Sequence, residues 1–222
     1  MNNVNKSDMR RMGFALPSGW SLTLYLCGAA LLVSLAILII GGFSEQALLQ
    51  VLRFSARSAM FAFLLAFSAS SLHLLWPTTF SRWLRQQRRY LGMAFAVIFL
   101  LHGIAIGLRV VWFPKNFVET LSPVVIYVGG FAFVVALLMA ITSNNNWQRR
   151  LGPIWKGLHW LGNYYILLQF VGGEVLRVQK NPHHYLPYVV LLLMVMLLRV
   201  GGRFVGIVRW FNGRSAASSV AS

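Results

Sequence analysis

The chain has 222 residues, of which 58% are apolar and 11% charged, and its mean hydropathy is +0.66. A soluble core of this size cannot bury so much hydrophobic surface, so the composition predicts a membrane protein. The formal charge of +16 comes from basic residues at the ends of apolar segments, which indicates contact with membrane lipid and no binding of nucleic acid. The lone Cys27 lies inside an apolar segment, so neither a disulfide framework nor a thiolate metal site is available.

Six apolar segments follow one another along the chain. Each is close to the ~20 residues that cross ~30 Å of hydrocarbon as a helix. The first is too long for the apolar part of a secretory signal, so we interpret it as an uncleaved span. Pro77 ends the second and Pro114 follows the third. The fold class predicted is all-α: a polytopic membrane protein with a six-transmembrane-helix bundle. The approximate limits of the segments are 22–40, 54–76, 90–112, 121–142, 158–175 and 185–208.

The same pattern predicts the domain organisation. Residues 1–18 form a polar leader, residues 19–210 a six-helix transmembrane domain, and residues 211–222 a Ser/Ala-rich tail that we expect to be disordered. No loop is long enough for a soluble domain, and no glycine-rich nucleotide fingerprint is present. Any flavin or nicotinamide must therefore belong to a partner protein.

Six spans place both termini on one side of the membrane, and the distribution of Lys and Arg indicates which side. The side with more basic residues is predicted to be cytoplasmic, so both termini are expected there. That side receives Lys6, Arg10, Arg11, Arg82, Arg85, Arg88, Arg89, Arg149, Arg150, Lys156, Arg199, Arg203, Arg209 and Arg214. The other side receives Arg53, Arg57, Arg109, Lys115, Arg177 and Lys180, together with Glu45, Glu119 and Glu174.

Three histidines, His73, His102 and His159, lie within predicted spans on different helices. Burying an imidazole in hydrocarbon is costly unless the ring finds a partner. One interpretation is that each ring simply donates to a carbonyl or a hydroxyl group. Alternatively, neutral imidazoles from two helices hold the iron of a haem as axial ligands. Apolar helices with inward histidines and no carboxylate cluster suit haem better than a hard cation.

Residues near these histidines support a cofactor site to different degrees. Gly162 lies about one turn beyond His159 and would leave room for a flat ring, although small residues also allow close packing of membrane helices. Arg109 lies two turns beyond His102 on the same face, where its guanidinium would meet a propionate. Arg53 and Arg57 lie at the start of the second span, where contact with lipid headgroups is the favoured role for both side chains.

Two stretches resemble the ferric reductase-like transmembrane family. The first is Arg-Arg-Tyr-Leu-Gly at 88–92 followed by His102, and the second is Trp-Lys-Gly-Leu-His at 155–159 followed by Tyr164. Within the family, the nearest likeness is to haem-binding membrane subunits of bacterial methionine sulfoxide reductase systems. The resemblance implies b-type haem held by histidines of the third and fifth helices, which His102 and His159 match. It also implies electron transfer across the membrane from a cytoplasmic flavin or from quinol.

The chain departs from the family pattern at one ligand. The family carries a further histidine about thirteen residues after the first on the fifth helix, where this chain has Gly172. A rise of ~1.5 Å per residue puts His73 and His159 each ~5 Å inside the cytoplasmic end of their helices, and His102 ~18 Å from its own. We therefore expect one haem between His73 and His159, with a second at His102 left open. A single haem between His102 and His159 is the alternative.

These expectations lead to one principal function and two alternatives. The principal function is a haem b electron-transfer subunit, with one or two haems, in a bacterial inner (plasma) membrane. Its donor would be a cytoplasmic flavoprotein reductase, with FMN or a quinone at the cytoplasmic side, or quinol. Its acceptor would be a periplasmic reductase or ferric iron. The alternatives are a small transporter, for which polar residues are few, and a non-redox assembly subunit that uses its glycine-rich faces for packing.

Overall fold

The computed structural model describes residues 16–114 and 123–220, without the side chains of residues 207 and 209–220. Seven α-helices make up most of the described residues, so the predicted all-α class is confirmed. They are α1 (Trp20–Ile40), α2 (Glu45–Leu75), α3 (Thr79–Trp112), α4 (Pro123–Ile141), α5 (Asn145–Leu151), α6 (Pro153–Val178) and α7 (Pro182–Val220).

Helices α2 and α3 are longer than the apolar segments that predicted them. Helix α2 begins at Glu45, where the Ser44 side chain accepts a hydrogen bond from the backbone N–H of Ala47. Helix α3 begins at Thr79 after a capping box formed by Thr78 and Ser81. In both helices a polar first stretch follows a capping residue, so the helix starts at the cap and not where the sequence becomes apolar.

One helix was not predicted. It is the short polar helix α5, because seven residues are too few to show a periodic pattern. Helix α7 runs to Val220, and the disorder expected for residues 211–222 stays a prediction. Most of the predicted leader, residues 1–15, lies outside the described residues, as does the start of the fourth predicted segment.

Within the described part of the chain, five helices are long and apolar enough to cross a membrane: α1, α2, α3, α4 and the part of α7 from Pro182 to Gly206. The chain is therefore a multi-pass membrane protein. Helix α6 is not among the five. With 26 residues it would extend ~39 Å, but it carries polar residues at intervals, including Lys156, Asn163 and Gln169.

Five helices form a closed ring: α2 packs on α3, α3 on α4, α4 on α6, α6 on α7, and α7 on α2. Helix α1 packs outside this ring against α2 and α3. Aromatic side chains fill the ring: Phe63 packs against Phe67, Phe95 and Phe170 with centroid distances of 5.3–5.8 Å. Burial of such rings holds the helices together and so fixes where the polar side chains lie.

The two ends of the ring carry different residues. We call the end where α2 finishes and α3 starts the basic end; it carries Arg82, Arg85, Arg88 and Arg89. The opposite end is where α2 begins at Glu45 and α3 finishes at Trp112. These two names describe the positions of the candidate site residues below.

Candidate haem-binding site

His73 lies in the last turn of α2, at the basic end. Its Nδ1 is 3.1 Å from the hydroxyl of Ser81, the residue that closes the capping box of α3. The ring also lines an open pocket of about 450 Å³ with Ser70, Leu74, Pro77 and Arg85. Small-molecule sites are commonly ~300–1,000 Å³, so the pocket is large enough for part of a cofactor.

His159 lies in the second turn of α6, also at the basic end. Its Nε2 is 3.2 Å from the hydroxyl of Thr142, which follows α4, and its ring packs 4.3 Å from the ring of Trp155. The guanidinium of Arg88, on α3, is close enough to act electrostatically on this imidazole. Arg88 also reaches Ser70, one turn before His73, at 3.4 Å. The Arg88 side chain therefore lies between the part of α2 that carries His73 and the part of α6 that carries His159.

His102 lies inside the ring, much farther from the basic end. Its Nδ1 is 3.1 Å from the hydroxyl of Ser55 on α2. The imidazole is nearly parallel to the rings of Phe99 and Phe133, at centroid distances of 6.1 and 6.3 Å. This histidine is thus enclosed by α2, α3 and α4.

The three hydroxyl partners determine the tautomer of each histidine. The hydroxyls of Ser81, Thr142 and Ser55 each donate their single hydrogen to a backbone carbonyl at 2.7 Å, those of Trp76, Leu138 and Val51 respectively. If that hydrogen stays on the carbonyl, the imidazole is the donor in each His–hydroxyl pair. The second ring nitrogen is then unprotonated: Nε2 in His73 and His102, and Nδ1 in His159. An unprotonated ring nitrogen opposite a donating N–H is the form of histidine that binds a metal.

The histidines lie at two depths. His102 contacts Ser55 of α2, and Arg88 contacts Ser70 of the same helix. These two serines are about 22 Å apart along the helix axis. His73 and His159 therefore lie at the basic end, and His102 lies about 20 Å farther into the ring. No hydrogen bond or ring contact joins two of the three imidazoles within residues 16–114 and 123–220. In the same ranges, no group of three or more His, Cys, Asp or Glu side chains could hold a metal ion.

The two other predicted site residues have partners within the protein. Arg109, 8% exposed, forms an ion pair with Glu45 at 3.3 Å. A Cβ added at Gly162 would overlap the side chain of Met139, so this glycine allows α6 to approach α4. Gly172, at the position of the absent family histidine, is exposed on α6, with no atom near the position of a Cβ. None of these contacts tests whether Arg109 or Gly162 serves a cofactor.

Several polar contacts were not predicted from the sequence. Glu174 is 4% exposed on α6 and pairs with Arg177 at 2.8 Å. Arg57 donates to Nε2 of His184 at 2.7 Å, and its guanidinium lies 4.8 Å from the ring centroid of Tyr188. Only the three-residue spacing of Glu174 and Arg177 is visible in the sequence as a signal. The other partners are distant in the chain.

The comparison with protein families agrees with this arrangement. Residues 53–170 match the family described as "Ferric reductase like transmembrane component", and they include all three histidines. The match covers 118 of the 222 residues, slightly more than half. The chain belongs to this family. The family indicates a role in membrane electron transfer. No curated protein and no solved structure matches the chain.

Proposed function

We propose that this ferric reductase-like protein is a haem b-binding electron-transfer subunit. Among members of the family, we take the haem-binding membrane subunits of bacterial methionine sulfoxide reductase systems as its nearest counterparts. The haem would be held at the basic end by Nε2 of His73 and Nδ1 of His159. The single observation that carries this assignment is that both imidazoles lie at the basic end and each contacts a hydroxyl group through one nitrogen, which leaves the other nitrogen for a metal.

The chemistry of the surrounding residues suits a porphyrin. Beside the two imidazoles lie an open pocket at His73 and the aromatic side chain of Trp155. Arg85 and Arg88 supply positive charge at the same end, where propionates need it. A soft nitrogen donor set without a carboxylate cluster favours haem iron over a hard cation.

The difference in depth favours one haem between His73 and His159 over one between His102 and His159. Two axial ligands of one iron must lie at the same level, and His102 is about 20 Å from the basic end. His102 is a candidate ligand for a second haem. Gly172, at the position of the family's further histidine on the fifth helix, offers no donor for that haem.

The proposed activity follows from the ligand set. A haem with two imidazole ligands exchanges single electrons and has no open position for oxygen or a substrate. This chain would contribute the fixed orientation of both rings, through Ser81 and Thr142, and exclusion of water by the aromatic interior. It would therefore act as a conduit between two partners, and not as the site of substrate chemistry.

The membrane arrangement is part of the same proposal. Residues 19–210 would form the membrane domain, with α6 as a sixth crossing and the basic end facing the cytoplasm of a bacterium. The donor would be quinol or a cytoplasmic flavoprotein, with FMN or a quinone bound at that end. The acceptor beyond the inner membrane would be a periplasmic reductase or ferric iron. The opposite ends of the helix ring would thus serve donor and acceptor.

One observation favours a second function, a non-redox assembly subunit. Each of the three histidines has a hydroxyl partner on another helix or on the segment next to one, and such contacts also stabilise a bundle that holds no cofactor. Both functions require the same hydrogen bonds. They differ in whether the purified protein contains haem.

Absorption spectroscopy separates the two. The full chain is purified from haem-supplemented cells, and reduced-minus-oxidised spectra and the haem-to-protein ratio are measured for the wild type and for His73→Ala, His159→Ala and His102→Ala. We expect a low-spin haem b spectrum in the wild type and in His102→Ala. The haem-to-protein ratio should fall to background in the other two variants.

His184→Ala is a matched control, since this imidazole lies at the opposite end and bonds to Arg57. A colourless wild type would support the assembly subunit. Full haem content in His73→Ala, together with loss in His102→Ala and His159→Ala, would replace the proposed ligand pair by the alternative pair.

A further inference from the structure

Two arginines at the basic end contact neighbouring residues of α2, and neither pairs with a carboxylate of the described residues. Arg88 Nη1 on α3 donates to Ser70 Oγ at 3.4 Å. Arg199 Nη1 on α7 donates to the carbonyl of Phe67 at 3.0 Å, and its guanidinium lies over the Phe67 ring at 4.8 Å. The two side chains are half-buried, and each lies within electrostatic range of the other. Like charges held together between helices are unfavourable unless an anion compensates them.

The carboxylates of the described residues are used elsewhere. Glu45 pairs with Arg109 and Glu174 pairs with Arg177, and both pairs lie toward the opposite end. In addition, Arg199 Nε is buried and has no hydrogen-bond partner among the described residues. Buried guanidinium nitrogens are rarely left without an acceptor. Within residues 16–114 and 123–220, the arginine pair therefore lacks both a counter-charge and at least one acceptor atom.

The pocket beside His73 gives an anion access to this pair. Ser70 belongs to both features, because it lines the pocket and accepts the hydrogen bond from Arg88. Arg85 lines the same pocket, and its other walls include the apolar residues Leu74 and Pro77. An oxyanion in the pocket would meet the hydroxyl of Ser70 and the charges of Arg85 and Arg88. The attached part of the ligand would lie along an apolar wall.

We propose that Ser70, Arg85, Arg88 and Arg199 form a binding site for the phosphate group of an anionic membrane phospholipid. The planar guanidinium matches a phosphate with two parallel hydrogen bonds. The site lies at an end of the helix ring, where lipid headgroups are found, and basic pockets between membrane helices bind such headgroups. Leu74 and Pro77 supply the apolar surface that an acyl chain or glycerol backbone would cover. The phosphate fills the place of the missing counter-charge.

Lipid titration of the full chain tests this site. The purified protein, in a detergent of no net charge, is titrated with phosphatidylglycerol, with phosphatidylcholine and with inorganic phosphate, while the melting temperature is followed. Retained lipid is counted by native mass spectrometry. We expect phosphatidylglycerol to raise the melting temperature and to be retained, whereas the other two ligands have little effect. Arg88→Gln and Arg199→Gln should each raise the half-saturating phosphatidylglycerol concentration about tenfold or more, as loss of a charge-assisted hydrogen bond implies.

Arg89→Gln is the matched control, because Arg89 is the exposed neighbour of Arg88 and bonds only to Asn145 within the described residues. It should keep the wild-type lipid response. An equal response in all four proteins would mean general surface attraction and would overturn the proposed site. Equal stabilisation by inorganic phosphate would assign the site to a soluble phosphate compound and overturn the lipid.

Because His73 lines the same pocket and Arg85 and Arg88 also lie beside the proposed haem, the titration is repeated on haem-free His73→Ala. A retained lipid response in that variant supports lipid binding that does not require haem. Loss of haem in Arg88→Gln and Arg199→Gln, with an unchanged lipid response, would assign the arginines to haem propionates and overturn the lipid proposal. Where Arg88→Gln does not fold, Arg88→Lys keeps the charge without the two parallel donors and should weaken retention of phosphatidylglycerol.

Discussion

A hydroxyl group that has already donated its hydrogen determines which nitrogen of a neighbouring histidine is protonated. Ser81 is the clearest case, because its oxygen donates to the carbonyl of Trp76 and accepts the backbone N–H of Thr78. With the Ser81 hydrogen on the carbonyl of Trp76, the proton between Ser81 and His73 comes from the imidazole. One serine thus both starts α3 and sets the tautomer of the candidate ligand.

Ser81→Ala should lower haem retention by His73 and shift the reduction midpoint potential, because the ring loses the acceptor that orients it. It should also destabilise the start of α3 by ~0.5–2 kcal/mol. The midpoint potential and haem-to-protein ratio are measured by redox titration, and stability by thermal unfolding.

Thr78→Ala separates these two effects. It removes the capping hydrogen bond to the backbone of Ser81 but leaves the Ser81 hydroxyl beside His73. It should lower the melting temperature to a similar extent and leave the potential unchanged. Equal potentials in the two variants would show that Ser81 acts on helix stability alone.

The sequence identifies the three candidate histidines but not the side chains that form hydrogen bonds with them. An imidazole within an apolar segment is visible in the sequence, and all three candidate ligands were found in this way. Their partners Ser55 and Thr142 lie 47 and 17 residues away and are common residues in membrane helices. Which hydroxyl meets which ring depends on how the helices pack, and a single sequence does not specify that.

At the scale of the helix, small residues determine how closely two axes approach. A Cβ added at Gly202 on α7 would lie 2.6 Å from Cβ and 3.0 Å from Cα of Ser71 on α2. At the adjacent Gly201 the nearest atom would be 4.0 Å away. The helix-period pattern predicts that both glycines lie in a helix, but it does not indicate which one faces a neighbour.

Gly202→Ala should push α7 away from α2 and destabilise the protein by ~1–3 kcal/mol, because Cβ and Cα of Ser71, which cannot move without the backbone, oppose the added carbon. Gly201→Ala is the control and should be neutral or slightly stabilising, since Ala is the better helix former. Melting temperatures in detergent measure both effects. A similar change in both variants would contradict this packing arrangement.

Packing also changes the interpretation of Gly162. Its position one turn after His159 suggested space for a flat ring, and the structure instead puts the side chain of Met139 against it. Methionine is flexible and adapts to different shapes. Met139 would therefore have to move if a porphyrin used this space, and the sequence alone gave no indication of that contact.

At the scale of the whole molecule, the sequence predicts the class and the order of helices better than their number of crossings. Apolar runs of sufficient length identify α1 to α4 and α7, because a membrane helix needs about 20 such residues. Helix α6 carries His159, Lys156 and Glu174, which reduce its apolar character. A helix that faces a cofactor and a ring of other helices can be more polar than one that faces lipid.

Whether the two ends of α6 are accessible from opposite sides of the membrane therefore decides whether this helix crosses it. In a Cys27→Ala background, single cysteines replace Gln46 at the start of α2, Gln148 in α5, and Asn181 between α6 and α7, which are all exposed. If α6 crosses the membrane, an impermeant maleimide labels positions 46 and 181 from one side and position 148 from the other. Equal labelling of 148 and 181 would mean that α6 lies on one side. His159 would then not be inside the membrane opposite His73, and a haem between them would lose its second ligand.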